Sequence, residues 1–180
     1  MSRRKGDWLQ TYTGKCFYYD DPRPSDITIE DIAHALSQIN RFCGHTRKPY
    51  SVAEHSVRGS LIVPAHLAYD FLMHDSPESV CQDLPRPLKY LPGMEVYRDY
   101  ERRVAEVIAK KFKLRFPEPA EVKYADRVML LTEQRDLLGQ QAKPWEATAI
   151  PLKGIIRPWS AKKAEKEFLL RFEELKGRKN

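Results

Sequence analysis

His74 and Asp75 stand side by side at the end of the apolar run Phe71-Leu72-Met73, with Glu78 and then Asp83 just beyond them. A helix that drives into a core normally stays apolar or turns polar where it meets solvent. Here an imidazole and a carboxylate fall where burial should be high. Neighbouring His and Asp can both ligate a divalent cation, and coordination offsets the cost of burying such groups. The competing account is a polar helix end with a hydrogen-bonded histidine. The dipeptide alone does not choose between them.

Two further residues break the same rule. At the helical step of 3.6 residues per turn, Val122, Ala125, Met129, Leu130 and Leu137 share one side of a helix. Asp126 falls in the middle of that side, with Glu133 near it. A buried carboxylate needs a partner, a proton or a metal, and Lys123 and Arg127 are the candidate ion-pair partners. His55 is the second case, on a stretch carrying Val52, Leu61 and Ile62; a hydrogen-bonded core histidine would also explain it. Together, His55, His74, Asp75 and Asp126 offer two imidazoles and two carboxylates from three helices. Such a mixed set suits one divalent transition metal (Mn, Co, Ni, Fe or Zn), with positions open to water and substrate. Neutral imidazole and ionised carboxylate are the binding forms, so metal binding should weaken in acid.

The elements that must carry these side chains follow from caps and periodicity. Tyr12, Phe17, Tyr18 and Tyr19 around Thr13-Gly14-Lys15 predict a short extended arm with a tight turn over about 8–20. Thr28 caps a helix with Ile32, Ala35, Leu36 and Ile39 at helical spacing, ending near Phe42-Cys43-Gly44. Ser51-Val-Ala-Glu54 matches a capping box and starts the helix of His55. Pro64 ends or kinks it. A third helix runs from about Pro64 to the His-Asp pair. Ser76-Pro77 reads as a cap that breaks the helix there and restarts a short piece ending near Gln82. Asp83 to Tyr90 reads as a proline-stiffened loop. Helices are expected over Met94–Phe112 and from Glu118-Pro119 to about Leu138. The segment 139–159 should wrap over the bundle, and Ser160 caps a last helix to about 176, with a solvated tail beyond. The whole is read as one all-α domain over 1–180, a helical bundle with a short extended N-terminal segment.

Bulk properties narrow the classes. The chain has 180 residues, 42% hydrophobic and 31% charged, which suits one globular domain with a real core. Its net charge of +6 suits an anionic partner without naming one. The three cysteines form no CxxC pair, which argues against a zinc knuckle or a disulfide framework and suits a reducing, cytoplasmic setting. The charged N-terminus has no apolar signal core. The longest uncharged stretch, Gly59 to Tyr69, is too short to span a bilayer, so no membrane association is expected.

An upstream His, a His-Asp doublet and a later Asp on an all-α scaffold resemble the HD-domain metal-dependent phosphohydrolases. Ser51-Val-Ala-Glu-His55-Ser, His74-Asp75-Ser-Pro-Glu78 and Asp83-Leu-Pro-Arg-Pro-Leu-Lys89-Tyr sharpen the likeness to the HD-type 5′-deoxynucleotidases, YfbR-like and more closely YfdR-like of phage and prophage type. Tyr12-Thr-Gly-Lys-Cys-Phe-Tyr, Arg41-Phe-Cys-Gly-His45 and Val122-Lys-Tyr-Ala-Asp126 extend it over nearly the whole chain. The resemblance implies that His55, His74, Asp75 and Asp126 ligate the metal, that Glu78 and Asp83 are the catalytic carboxylates, and that Arg41 contacts the phosphate. Phe42 stands where the 5′-deoxynucleotidases carry a tryptophan against the sugar. The interval from His55 to His74 is also shorter than in the housekeeping enzymes.

The expected reaction is hydrolysis of a (deoxy)nucleotide, releasing phosphate from deoxynucleoside 5′-monophosphates by attack of a metal-activated water. Lys89 and His45 are further candidates for the anion, and Phe42 and Tyr50 for sugar or base; a surface lysine and core aromatics are the alternatives. A dNTP triphosphohydrolase, giving triphosphate from dATP or dGTP, is the nearest rival. Alarmone hydrolysis fits less well, because those enzymes resemble His-Asp-x-x-Glu-Asp and Ser79 follows Glu78 here. A nucleic-acid- or protein-binding module without catalysis is the rival of another class. The dispersed basic residues and the lack of a nucleic-acid-binding signature weigh against it. The resemblance also implies a homo-oligomer, dimer or larger.

Overall fold

Side-chain caps start the helices where the sequence places them. In the computed structural model, the Thr28 hydroxyl accepts from Asp31 N–H and opens α1 (Ile29–Gln38). Ser51 Oγ accepts from Glu54 N–H at 3.2 Å and opens α2 (Val52–Gly59). Ser160 Oγ accepts from Lys163 N–H and opens the last helix, α8 (Ala161–Lys176). Between them lie α3 (Ala68–Met73), α4 (Glu78–Cys81), α5 (Arg86–Lys89), α6 (Glu95–Phe112) and α7 (Ala120–Leu137). The described residues are 4, 6–146 and 148–177. The expectations for the first residues of the chain and for the tail beyond Gly177 lie outside them.

The fold is mostly helical, with one two-stranded sheet among the described residues. That sheet is the expected N-terminal arm: β1 (Leu9–Gln10) pairs antiparallel with β2 (Cys16–Phe17) in the register Leu9 to Phe17 and Gln10 to Cys16. Asp31 ties the arm down, its carboxylate accepting from Thr13 N–H at 2.7 Å and from the Thr13 hydroxyl at 2.9 Å. No helix of the described residues is long and apolar enough to cross a membrane.

α8 packs against α1, α2 and α3. Its Ala164, Phe168, Phe172 and Leu175 complete the main core with Ile32, Leu36, Val57, Leu72, Val104 and Ile108. A second apolar cluster behind the site joins Tyr50, Leu67, Phe71, Val122, Met129 and Leu137. The α2–α3 contact is close. A Cβ on Gly59 would lie 1.9 Å from Phe71 Cε1, so only glycine allows this approach. Beyond α7, two backbone N–H groups return to it. Leu152 N–H donates to Thr132 Oγ1 at 2.9 Å and Ile156 N–H to Asp136 at 2.8 Å. Further on, Trp159 N–H donates to Glu54 Oε2 at 2.7 Å. Glu54 is therefore turned towards Trp159 and Arg58 rather than back to its own cap.

Three local expectations need correction. The first helix, expected to end near Phe42-Cys43-Gly44, stops at Gln38, because Ile39 and Asn40 turn extended and Arg41–Gly44 forms a separate short turn. The segment read as a loop after Asp83 contains α5, because Pro85 and Pro87 fall at its N-cap and first turn, where a missing N–H costs nothing. Ser76 does not cap α4: its hydroxyl is buried and donates to Met73 Sδ at 3.7 Å.

Candidate metal centre

The chain turns tightly after α3. His74 N–H donates to the Phe71 carbonyl at 3.3 Å, Ser76 N–H to Met73 at 3.1 Å and Glu78 N–H to Asp75 at 3.0 Å. This three-residue spacing is tighter than an α-helix, and it is the break expected beside the His-Asp pair. His74 Nδ1 lies 2.7 Å from the Phe71 carbonyl oxygen, an acceptor only, so Nδ1 carries the proton and Nε2 keeps its lone pair. His55, on α2, repeats the arrangement, with Nδ1 2.6 Å from Glu133 Oε1.

Both Nε2 atoms are buried and have no hydrogen-bond partner. His55 Nε2 lies 3.6 Å from Asp75 Oδ2 and 3.3 Å from Asp126 Oδ1, and His74 Nε2 lies 3.1 Å from Asp75 Oδ1. Ligand atoms of His55, His74 and Asp75 all fall within 4.8 Å of one another, a group that could hold a metal ion. Two partnerless imidazole nitrogens beside a carboxylate, each with its tautomer set from behind, fit a divalent cation. Asp126, on α7, reaches His55 but lies outside that mutually close trio. Neither Lys123 nor Arg127 pairs with it among the described residues; the Arg127 guanidinium stacks over Tyr124.

Behind the trio sits Glu133, fully buried on α7. Its Oε1 accepts from the Tyr50 hydroxyl at 2.9 Å and from His55, and its Oε2 accepts from Arg41 Nε at 3.0 Å. Arg41 Nη1 reaches Asp75 Oδ2 at 3.5 Å, while Nη2 takes no hydrogen bond among the described residues.

Charge is dense here. Burial alone would lower the Arg41 pKa, but Glu133, Asp126, Asp75 and Asp83 hold it well above its usual value. Burial opposes ionisation of Glu133, yet Arg41 and His55 outweigh it and keep the carboxylate ionised. Asp126 is likewise lowered, by His55, His74 and Arg41 against burial. Burial and Arg41 act against a charged His55, but Glu133 and Asp126 prevail and raise it to about 9, so in the metal-free protein at neutral pH Nε2 also carries a proton, which a cation would have to displace. Glu78 goes the other way: burial, then Asp75 and Asp83, push it well above the carboxylate range. Its Oε2 is buried and unpartnered. Burial and Asp75 also raise Asp83, with Arg41 opposing.

The remaining candidates fall around this centre unequally. Arg41–Gly44 is a short turn in which Phe42 (φ 55°) and Cys43 (φ 51°) are both left-handed. That conformation costs roughly 1–2 kcal/mol per non-glycine residue. It sets the Phe42 ring 5.5 Å from the Arg41 guanidinium and 6.1 Å from the Trp145 ring. His45 is exposed, and its side chain forms no hydrogen bond among the described residues. Tyr50, expected at the substrate, is fully buried, with its hydroxyl on Glu133; it stands behind Arg41. Lys89 lines a cavity of about 390 Å³ beside His74, Asp75 and Glu78, but its Nζ is bound to Glu101 at 2.6 Å.

Sequence reasoning assigned no role at the site to three residues. Glu133 was visible as a carboxylate on an apolar stripe, but its partners are remote in sequence. Glu118 lines the same cavity with a buried, unpartnered Oε1, and burial, Asp75 and Asp126 raise its pKa; in the sequence it marks only a helix opening. Trp145, beside Phe42, gave no local signal.

Fold and centre thus define a mostly helical protein with a partly buried imidazole–carboxylate group that could hold a metal ion. No protein-family model matches the chain. Over 130 residues it is 47% identical to an uncharacterized protein of Escherichia coli strain K12, YfdR, a match covering 72% of each chain. An uncharacterized protein of Rhodobacter capsulatus is 34% identical over 130 residues, covering 67% of this chain and 66% of the relative. The chain belongs to the YfdR family.

Proposed function

We propose that the protein is an HD-type, metal-dependent phosphohydrolase that releases phosphate from deoxynucleoside 5′-monophosphates. The observation that carries this reading is the pair of buried, partnerless Nε2 atoms of His55 and His74 facing Asp75. Arg41 stands beside them, Nη1 3.5 Å from Asp75 Oδ2, with an uncommitted Nη2.

In this reading His55, His74, Asp75 and Asp126 hold one divalent transition metal. When bound, such an ion polarises a phosphoryl oxygen and makes a nearby water more acidic. Arg41, held at Nε by Glu133, turns Nη2 to a phosphate oxygen and neutralises its charge. In its ionised form Glu78, whose Oε2 is unpartnered and whose raised pKa makes it a stronger base than an ordinary carboxylate, accepts a proton from the attacking water. The water oxygen bonds to phosphorus as the P–O5′ bond breaks, and Glu78 returns the proton it took from the water to the leaving 5′-oxygen. Asp83, coupled electrostatically to Asp75 and Arg41, is the second carboxylate at this step. Phe42 and Trp145 form an aromatic rim for sugar or base. Lys89 and His45 are secondary: one is tied to Glu101 and the other faces solvent. A cytoplasmic homo-oligomer belongs to the same proposal.

The test is a metal-by-nucleotide screen with product identification. With Mn or Co the protein should release orthophosphate from dAMP or dGMP, and EDTA should stop it. His74→Ala and Asp75→Ala should abolish turnover with helical circular dichroism retained. Turnover surviving in both variants would remove this centre from the reaction. Tripolyphosphate from dATP or dGTP would replace the reading with a triphosphohydrolase. Metal-independent nucleic-acid binding that falls steeply with salt, without hydrolysis, would replace it with a binding module.

A further inference from the structure

Glu133 is fully buried, far from any solvent that could reward a charge there. Both of its oxygens are nevertheless committed, and to different parts of the centre. Oε1 takes His55 Nδ1 at 2.6 Å together with the Tyr50 hydroxyl at 2.9 Å, and Oε2 takes Arg41 Nε at 3.0 Å. A carboxylate can only accept, so each of its three neighbours must present a proton to it.

From this geometry we infer that Glu133 is the positioning residue that holds His55 in the Nδ1–H tautomer, and so keeps Nε2 available to a metal, while it anchors Arg41 over Asp75. The inference rests on the metal-centre reading above and assigns a role to a residue outside the ligand set. One side chain then sets up the cation site and the anion site together. Outer carboxylates of this kind commonly govern metal affinity by about 10–100-fold when removed.

A glutamine at this position has the right size and the wrong polarity. If its amide oxygen stays with Arg41, its NH₂ faces His55 Nδ1. Nδ1 must then accept, the proton moves to Nε2, and the metal-facing nitrogen is blocked. If the amide turns over, its NH₂ meets Arg41 Nε–H, donor against donor. With a guanidinium the harder partner to leave unpaired, the first arrangement is favoured.

The experiment measures binding and tautomer rather than turnover. Mn and Co affinities of full-length wild type, Glu133→Gln and Tyr50→Phe are determined by titration calorimetry, with folding checked by circular dichroism. Glu133→Gln should weaken metal binding about tenfold or more. Tyr50→Phe, which removes one buried hydrogen bond but leaves the carboxylate, should change it by less than about threefold. In parallel, ¹⁵N NMR of the metal-free wild type at a pH well above 9, where His55 is neutral, should show its Nδ1–H form. That readout needs no variant to fold and would not follow from a purely structural role. Unchanged metal affinity in folded Glu133→Gln, or an Nε2–H His55 in the wild type, overturns the assignment while leaving the metal centre standing. Failure of the wild type to bind either metal would overturn both.

Discussion

Gly59→Ala puts one methyl group into the contact that brings the two histidine-bearing helices together. Its Cβ would lie 1.9 Å from Cε1 and 2.1 Å from Cζ of Phe71, against the 3.4 Å at which ordinary contact begins. Either the ring retreats by about 1.5 Å or α2 and α3 separate by a comparable amount. Phe71 has nowhere obvious to go: it is fully buried, 5.8 Å from the His55 ring and 4.5 Å from the His74 ring. Overpacking of this kind costs about 1–3 kcal/mol, and the gain from alanine in a helix, about 1 kcal/mol at most, offsets part of it. A net loss of about 1–2 kcal/mol lowers the melting temperature by roughly 2–8 °C in a chain of this size. The perturbation should also reach function, because Phe71 supplies the carbonyl that fixes the His74 tautomer. Thermal unfolding and Mn titration of wild type and variant check both effects. A variant that melts at or above the wild-type temperature, with unchanged metal affinity, would refute this account of α2–α3 packing.

Further outcomes follow from the same geometry. Glu78→Gln should raise the melting temperature of the metal-free protein by a few degrees while abolishing turnover. A folded-state pKa raised above the unfolded value means that ionising this buried carboxylate destabilises the fold as pH rises. Glu133 and His55 alone would give a plateau between about pH 4.5 and 6.5, and Glu78 tilts it downward as pH rises, so a pH series of melting curves of the metal-free protein should peak near the acid end of that range. Glu133, lowered in the fold, contributes above its ordinary 4.5 and loses its contribution as pH falls; His55, raised to about 9, contributes fully below 6.5 and loses its contribution as pH climbs through 9. Saturating Mn or Co at about 100 times Kd should add roughly 2.7 kcal/mol of stability, reversed by EDTA and weakened in acid. Binding of dAMP should change the tryptophan fluorescence, and Trp145→Phe should remove most of that change if Trp145 and Phe42 form the substrate rim.

Much of this architecture is encoded locally, and those parts were legible. Thr28, Ser51 and Ser160 each cap the helix that their spacing announces. The polar pair closing an apolar run marked the tight turn at His74–Pro77, and the misplaced His55 and Asp126 pointed at the same spot. Two errors came from reading residue types without their hydrogen bonds. Prolines at a helix start looked like loop, and Ser76 looked like a cap although its hydroxyl turns inward. Glu133 stood out as a carboxylate on an apolar stripe, but its role did not. Its partners Arg41, Tyr50 and His55 lie 92, 83 and 78 residues away, so no periodicity could join them. The same distance hid the burial of Tyr50, whose aromatic ring beside basic residues suits a pocket wall as well as a core.

The most direct measurement is anomalous diffraction from crystals grown with Mn or Co. The account predicts a single strong peak about 2.0–2.3 Å from His55 Nε2, His74 Nε2 and an Asp75 oxygen, with Asp126 closing in as a further ligand. A peak elsewhere, or imidazoles whose Nε2 atoms turn away from one another at full metal loading, would contradict it.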